Sequence, residues 1–483
     1  MKKITGDGTS TWPLAGSDRV GLKRKGKMQM ITELQVKSFK SWEDTGPLRF
    51  APLTGFFGTN SSGKTSILQL FLMLKQTVES LDRKRVLHTG DDFSIVDLGT
   101  FPDLIHCRKA DSALQVSISW DLFKTLKIKD PEKKDKSLFE VKALEFDVEI
   151  EGKTGIPTVR EFSYSFGENI FGMRVHSTDG KKPKSGYDLV STPYHAIRQP
   201  GRPWPLPSPM KFYGFPDQAS AFFQNVSFLS EIVLELEGLF GRTKYLGPLR
   251  ENPKRIYTWA GEAPSDVGRK GELAVPAILA AREKGKYISP GRRKKKRGLE
   301  ETIANWLRDM GIIDSFSVKQ IGKDRKDWEV LVQKTRQSPE VLITDVGFGL
   351  SQVLPVLVLC YYVPEGSVLL LEQPELHLHP SAQSWLADIF IDVVENRNVQ
   401  VIVESHSEHF VRRLQLRIAE KKIPPERTAL YFFEMKNSAS HSERLDVDSY
   451  GNIKNWPKDF FGDEMGETVA RTKAAMDRQA QGD

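Results

Sequence analysis

The octet Gly58-Thr59-Asn60-Ser61-Ser62-Gly63-Lys64-Thr65 fits the pattern G-x-x-x-x-G-K-[ST], and its flanks constrain this chain more than any other feature. Before it, Leu48 to Phe57 is short and apolar, as a buried strand should be; after it, Ser66 to Leu74 continues as an apolar helix. A strand that turns through such a loop into a helix aims successive backbone N–H groups at an anion, and the helix dipole adds to the attraction. In that context Gly58, Asn60, Ser61, Ser62, Gly63 and Ser66 belong to a phosphate cradle, Lys64 reaches the β- and γ-phosphate oxygens of ATP, and the Thr65 hydroxyl goes to Mg²⁺. An α/β fold organised around this loop is expected.

With 483 residues the chain has room for two to four domains or for one elaborated body. Its two cysteines, Cys107 and Cys360, are far apart and form neither a zinc nor a redox spacing, which fits a reducing cytoplasm. No apolar stretch approaches membrane-spanning length, and Lys2 and Lys3 are not followed by the apolar run of a secretory signal. A cytoplasmic protein that does not touch a membrane is expected. The net charge of +7 is clustered: the densest run is Arg292-Arg293-Lys294-Lys295-Lys296-Arg297, with smaller ones at Lys23 to Lys27 and around Lys124 to Lys136. Such a run either neutralises DNA or RNA phosphates or is a solvated loop, and charge by itself does not choose.

Along the chain, residues 1–27 read as a flexible extension rich in Gly, Ser, Thr and Lys. Residues 28–110 form the first part of the core, with Ile31 to Val36 alternating as a strand. Residues 111–215 read as a β-rich insert ending in a proline-rich connector, from alternations such as Leu114 to Trp120 and Phe146 to Ile150. Residues 216–340 read as a helical lobe carrying a basic loop at 284–298, residues 341–465 as the second part of the core, and 466–483 as a tail. Gln69 and Gln76 both read as helical, and neither is assigned as a Q-loop.

The discriminating motifs lie some three hundred residues beyond the phosphate loop. Val368 to Leu371 is an apolar strand that ends in Glu372, where a Walker B acid must sit to hold Mg²⁺. Gln400 to Val403 is another apolar strand, followed by Glu404, Ser405 and His406, a histidine able to hydrogen-bond a γ-phosphate. Between the loop and the acid strand, Gly347, Gly349, Ser351 and Gln352 open an apolar helix and form either a second anion site or a plain glycine turn.

The order of these motifs resembles the ABC-type ATPases and not the AAA+ or RecA classes. Leu371-Glu372-Gln373-Pro374-Glu375-Leu376-His377-Leu378-His379-Pro380 is similar to the version found in SMC/RecF-like ATPases of the overcoming-lysogenisation-defect group and in their relatives from bacterial defence operons. Tyr245 to Glu251 and Asn455 to Phe461 also resemble that family, over residues 28 to about 465. The resemblance implies an ABC-type P-loop fold with a mixed sheet, a β-rich insert and a helical lobe. It assigns Lys64 and Thr65 to phosphate and Mg²⁺, Glu372 to the Walker B acid, His406 to the switch histidine and His379 to the D-loop position, and brings Lys40 toward the α-phosphate. It also presents Gly347, Gly349, Ser351 and Gln352 to the γ-phosphate of a second protomer, which implies a homodimer or a higher even-numbered oligomer.

One departure bears on catalysis. The family pattern has Asp-Glu-Pro where this chain has Glu372-Gln373-Pro374, and an amide positions water without taking its proton. Glu375 substitutes only if the loop turns it inward. Functionally, the resemblance implies a slowly hydrolysing ATPase that controls an HNH-type nuclease from the same operon, in antiphage defence of the Septu kind. A RecF-like DNA-repair ATPase is the alternative. A stand-alone Toprim nuclease would use Glu434 with Asp446 and Asp448, but too few residues follow His406 for that domain, and a hairpin with alternating acids reads better.

Overall fold

The structure, a computed structural model, describes residues 30–109, 112–130, 137–152, 155–176, 186–289, 296–322, 325–457, 460 and 464–481; the expected extension at 1–27 and the basic residues 292–295 lie outside the described residues. In chain order, β1 (Met30–Phe39), β2 (Trp42–Asp44) and β3 (Leu48–Arg49) lead to β4 (Leu53–Gly58), the phosphate loop and α1 (Lys64–Glu79). The short α2 (Phe101–Leu104) precedes β5 (Leu114–Lys129), β6 (Ser137–Glu151), β7 (Thr158–Phe166), β8 (Asn169–Val175) and β9 (Tyr187–Thr192). Then follow α3 (Gln218–Phe222), α4 (Leu229–Arg242), β10 (Thr243–Leu246), β11 (Tyr257–Thr258), α5 (Ala274–Glu283), β12 (Tyr287–Ile288) and β13 (Arg297–Gly298). After α6 (Leu299–Asp309) come β14 (Ser315–Gln320), β15 (Asp327–Gln333), β16 (Val341–Leu342) and α7 (Phe348–Tyr362). The remaining elements are β17 (Val368–Glu372), α8 (Pro380–Arg397), β18 (Gln400–Glu404), α9 (Glu408–Ala419), β19 (Thr428–Lys436), β20 (Ala439–Arg444) and α10 (Glu464–Gln481).

The six-stranded core sheet has the order β10-β17-β18-β4-β19-β20, parallel throughout except for the final β19–β20 hairpin. Near-continuous apolar sequence explains why it is central: parallel strands covered on both faces have no polar side to spare. Side-chain alternation then divides the faces. Phe56, Val368, Leu370, Ile402, Tyr431 and Phe433 pack into one hydrophobic core with α1, α4 and the antiparallel strands. Phe57, Leu369, Leu371, Val401, Val403 and Phe432 pack into another with α5 to α9. The molecule is thus a mixed α/β protein whose phosphate loop follows one of the inner strands of a largely parallel sheet.

The β-rich stretch pairs back onto the first part of the core. β5 pairs antiparallel with β1, so that β2-β1-β5-β6-β7-β8-β9, with β3 also on β1, make one eight-stranded sheet. The periodicity of 111–215 was legible, but its join to β1 depends on long-range pairing that no local pattern specifies. The tail is likewise helical over Glu464–Gln481.

Candidate functional site

The parallel strands of the core end together, so their C-terminal edge collects the chemistry. β4 ends at Gly58, β17 at Glu372 and β18 at Glu404, and the register of β17 with β18 sets Glu372 level with Glu404. Open α/β sheets bind ligands in the crevice at this edge. Here it holds a cavity of about 320 Å³ lined by Ser41, Asn60, Ser61, Ser62, Gly63, Lys64, Thr65, Ser66, Gln373, Glu404 and His406.

The loop around it is fixed from below. Gly58 has φ 130°, and a Cβ there would lie 2.0 Å from the carbonyl oxygen of Phe433 on the paired strand β19. Gly63 caps α1 at φ 91°, where a Cβ would meet the Ser440 hydroxyl at 2.4 Å and the Trp42 indole nitrogen at 2.8 Å. That indole N–H donates to the Gly63 carbonyl at 3.1 Å, so the β1–β2 turn clasps the loop. The Lys64 ammonium donates to the carbonyls of Gly58 (3.1 Å) and Thr59 (2.6 Å). Burial lowers its pKa, and the charge of Glu404 acts the other way.

Three acids stand behind and beside the cavity, and each has a different setting. Glu404, 2% exposed, accepts the Thr65 hydroxyl with both oxygens at 3.0 Å. Burial, then the nearby Glu372 charge, pushes its pKa up to about 7 against the pull of Lys64 and Thr65. Glu372 accepts the Tyr245 phenol at 2.7 Å, and burial raises its pKa while Tyr245 and Arg250 oppose the shift. Glu375 is buried and accepts the His406 backbone N–H at 2.6 Å; burial raises its pKa too. It is turned inward, but as a brace for His406 and not as part of the cavity wall. Burial first, then Lys64, lowers the pKa of the His406 imidazole.

Arg250 supplies a cation near Glu372 and Glu375. Its pKa is lowered to about 10 by burial, with Tyr245, Glu372 and Glu375 opposing, and its Nε and Nη1 have no hydrogen-bond partner among the described residues. Gln373, at φ 43°, donates its backbone N–H to the Glu404 carbonyl at 2.9 Å and lines the cavity.

Other expected site residues lie elsewhere. Lys40 donates to Gln69 on α1 at 2.6 Å, and its neighbour Ser41 lines the cavity instead. Gly347 caps α7 and, with Phe348, is exposed, whereas Ser351 and Gln352 are buried one turn into the helix. The Ser351 hydroxyl donates to the Phe348 carbonyl at 2.7 Å, so the exposed part of this segment is its first turn and not the serine side chain. His379 caps α8 by accepting from the Ser381 backbone N–H. Of the basic run, Lys296 and Arg297 are described, and Arg297 lies 3.4 Å from Glu301. Asp446 and Asp448 fall beyond the end of β20 and not within the expected hairpin; Asp448 accepts the backbone N–H groups of Tyr450 (2.8 Å) and Asn452 (2.9 Å) in a turn.

Glu404, Tyr245, Arg250, Ser41 and Trp42 carried no role in the sequence reading. For Glu404 a signal existed: it ends an apolar strand in a carboxylate, as Glu372 does. Among the described residues no three His, Cys, Asp or Glu side chains come together as a metal cage. Magnesium bound with a nucleotide takes one or two carboxylates plus phosphate oxygens, so the Thr65 hydroxyl with Glu372 and Glu404 is an oxygen set that suits it. The loop amides, Lys64 and the cavity size suit a triphosphate.

Comparison with known proteins bears on part of this region. Residues 273–411 match the family described as AAA ATPase domain. The match takes in α7, β17, β18 and His406 but not the phosphate loop, which the antiparallel sheet separates from it in sequence. Residues 423–470 match a family described as a protein of unknown function, DUF3696. No curated protein matches the chain. Among solved structures, the SMC head bound to the C-winged-helix domain of ScpA is similar at 10% identity and TM-score 0.42, over 87% of this chain and 98% of that one. The SMC head domain from Thermotoga maritima is similar at 11% identity and TM-score 0.38, over 86% and 99%. The SMC head with an extended coiled coil, bound to the C-terminal domain of ScpA from Pyrococcus furiosus, is similar at 11% and 0.39, over 87% and 97%. Among the described residues no helix is long and apolar enough to cross a membrane.

Proposed function

We propose that this chain is an ABC-type ATPase of the SMC/RecF-like kind that binds Mg²⁺ and ATP, hydrolyses the ATP slowly, dimerises around the nucleotide and regulates a partner nuclease in antiphage defence. The observation that carries the nucleotide reading is the cavity at the C-terminal edge of the parallel sheet, where Lys64, Thr65, Gln373, Glu404 and His406 converge on one phosphate loop. Lys64 and the loop amides hold the phosphates, and magnesium supplies charge neutralisation on them. Gln373 orients water without accepting its proton, and general-base assistance is worth on the order of a hundredfold or more, so turnover is slow. Support for dimerisation is the exposed first turn of α7, a helix N-terminus that suits a phosphate from a second copy. The nuclease and the defence role rest on the resemblance of the Glu372 to Pro380 block.

The test is purification of the native operon products, followed by phosphate-release assays. A co-purifying nuclease whose cutting depends on the nucleotide state of this chain supports the reading. An ATPase that purifies alone and acts on DNA ends or gaps favours repair.

A further inference from the structure

We infer that Glu404, at the end of β18, is the carboxylate that meets the magnesium ion of the bound nucleotide beside Thr65, while Glu372, level with it on β17, is turned to Tyr245. The inference rests on the nucleotide reading above and goes beyond it in naming the metal-side residue.

Among the residues that line the cavity, Glu404 is the acid; Glu372 and Glu375 are not on that wall. Both oxygens of Glu404 lie 3.0 Å from the Thr65 hydroxyl, the atom that a phosphate loop of this pattern gives to magnesium. Glu372 is turned to the Tyr245 phenol, and Glu375 to the His406 backbone. The backbone holds Glu404 where it is: β18 pairs with β4 on one side and with β17 on the other, and the Gln373 N–H donates to the Glu404 carbonyl.

A hydroxyl needs only a neutral acceptor, so hydrogen bonding to Thr65 does not by itself account for an acid at 2% exposure. Burying a carboxylate is costly unless a cation compensates for it. Lys64 lies near and offsets part of that cost, while its ammonium also donates to the loop carbonyls of Gly58 and Thr59. A divalent cation at the Thr65 hydroxyl answers this arrangement, because hard oxygen ligands of this kind are what magnesium takes.

The test compares wild type, Glu404→Gln and Glu404→Asp by binding of a fluorescent ATP analogue with and without Mg²⁺, and by electron paramagnetic resonance titration of Mn²⁺ in the presence of ATP. Wild type should bind the analogue more tightly with Mg²⁺. In Glu404→Gln that enhancement should fall by at least about tenfold, the scale on which changes in a metal's surroundings alter its affinity. Its Mg²⁺-free affinity should be unchanged or higher, because a negative charge near the phosphates is gone. Mn²⁺ affinity should fall in parallel. Full metal enhancement in Glu404→Gln overturns the inference. Should that variant fail to fold, Glu404→Asp, which keeps the charge but retracts it by one methylene, decides: weakened Mn²⁺ binding supports the assignment and wild-type Mn²⁺ binding overturns it. A wild-type protein that binds no nucleotide refutes the nucleotide reading itself. Enhancement that survives in the variants refutes only the place of Glu404.

Discussion

At the level of single residues, the strand-end turn at Glu372-Gln373-Pro374-Glu375 sorts its members by what each touches. Gln373 faces the cavity; Glu375 holds the amide of His406. Gln373→Glu would put a proton acceptor where water is oriented, and turnover should rise, on the order of a hundredfold if a base is what is missing. Glu375→Gln keeps a carbonyl oxygen for the His406 N–H and should change the phosphate-release rate little. Fast wild-type hydrolysis that disappears in Glu375→Gln would reverse these two roles. The phosphate loop was legible in sequence because each of its residues has a local task, and the demand for glycine at 58 and 63 is explained by the atoms a Cβ would strike. Glu404 ends an apolar strand as Glu372 does, but which partner it serves is not a local matter: Thr65 is 339 residues away. Ser41 and Trp42 were missed for the same reason, being brought to the loop by the β1–β2 turn.

At the level of elements, apolar runs announced β4, β17 and β18, since their burial patterns follow directly from the residues. The four-residue β10 was not legible. It belongs to the core sheet beside β17 although it follows directly on helix α4, and so short a strand carries too little pattern to be read. Within the C-terminal block, Trp456 and Phe460 acquire a physical role in the structure. Phe460 is buried against Phe57, at the end of the phosphate-loop strand, and against Phe432 and Trp456, with ring centroids 5.9, 5.1 and 4.9 Å apart. Phe460→Ala should cost about 3–5 kcal/mol in chemical denaturation, the usual range for losing a buried phenylalanine. A loss near zero would mean that this segment is not docked. At the far end of α7, Lys286 donates to the Tyr362 carbonyl, and burial, with Arg397 adding repulsion, lowers its pKa from 10.5 to about 8. A lysine lowered on folding contributes stability above its unfolded value and loses it as pH falls through the folded one. Wild-type stability should therefore rise between pH 8 and pH 10.5 relative to Lys286→Met, by an amount reduced by the partial exposure of the group. Parallel pH profiles for the two proteins would show that the ammonium is not desolvated.

For the whole molecule, the cavity lies at one edge of the core sheet, while the exposed first turn of α7 lines no part of it. One copy therefore offers a phosphate site and a separate helix N-terminus, and under the proposed dimerisation a two-fold pair of copies would bring each to the other. Light scattering should give a larger mass with ATP and Mg²⁺ than without. An arginine at Ser351 would be a poor probe, because that residue is 6% exposed and would unsettle the core. Phe348 is 47% exposed, so Phe348→Arg should leave nucleotide binding intact and abolish the mass increase. An unchanged increase in Phe348→Arg would take this face out of the interface. All of this depends on nucleotide entering the cavity, which calorimetric titration of ATP with Mg²⁺ into wild type and Lys64→Ala measures most directly. Wild type should bind one nucleotide per chain, and Lys64→Ala should bind at least about tenfold more weakly, as expected for loss of a charge-assisted contact of about 1.5–3 kcal/mol. Equal binding by the two proteins, or none by wild type, would contradict the assignment.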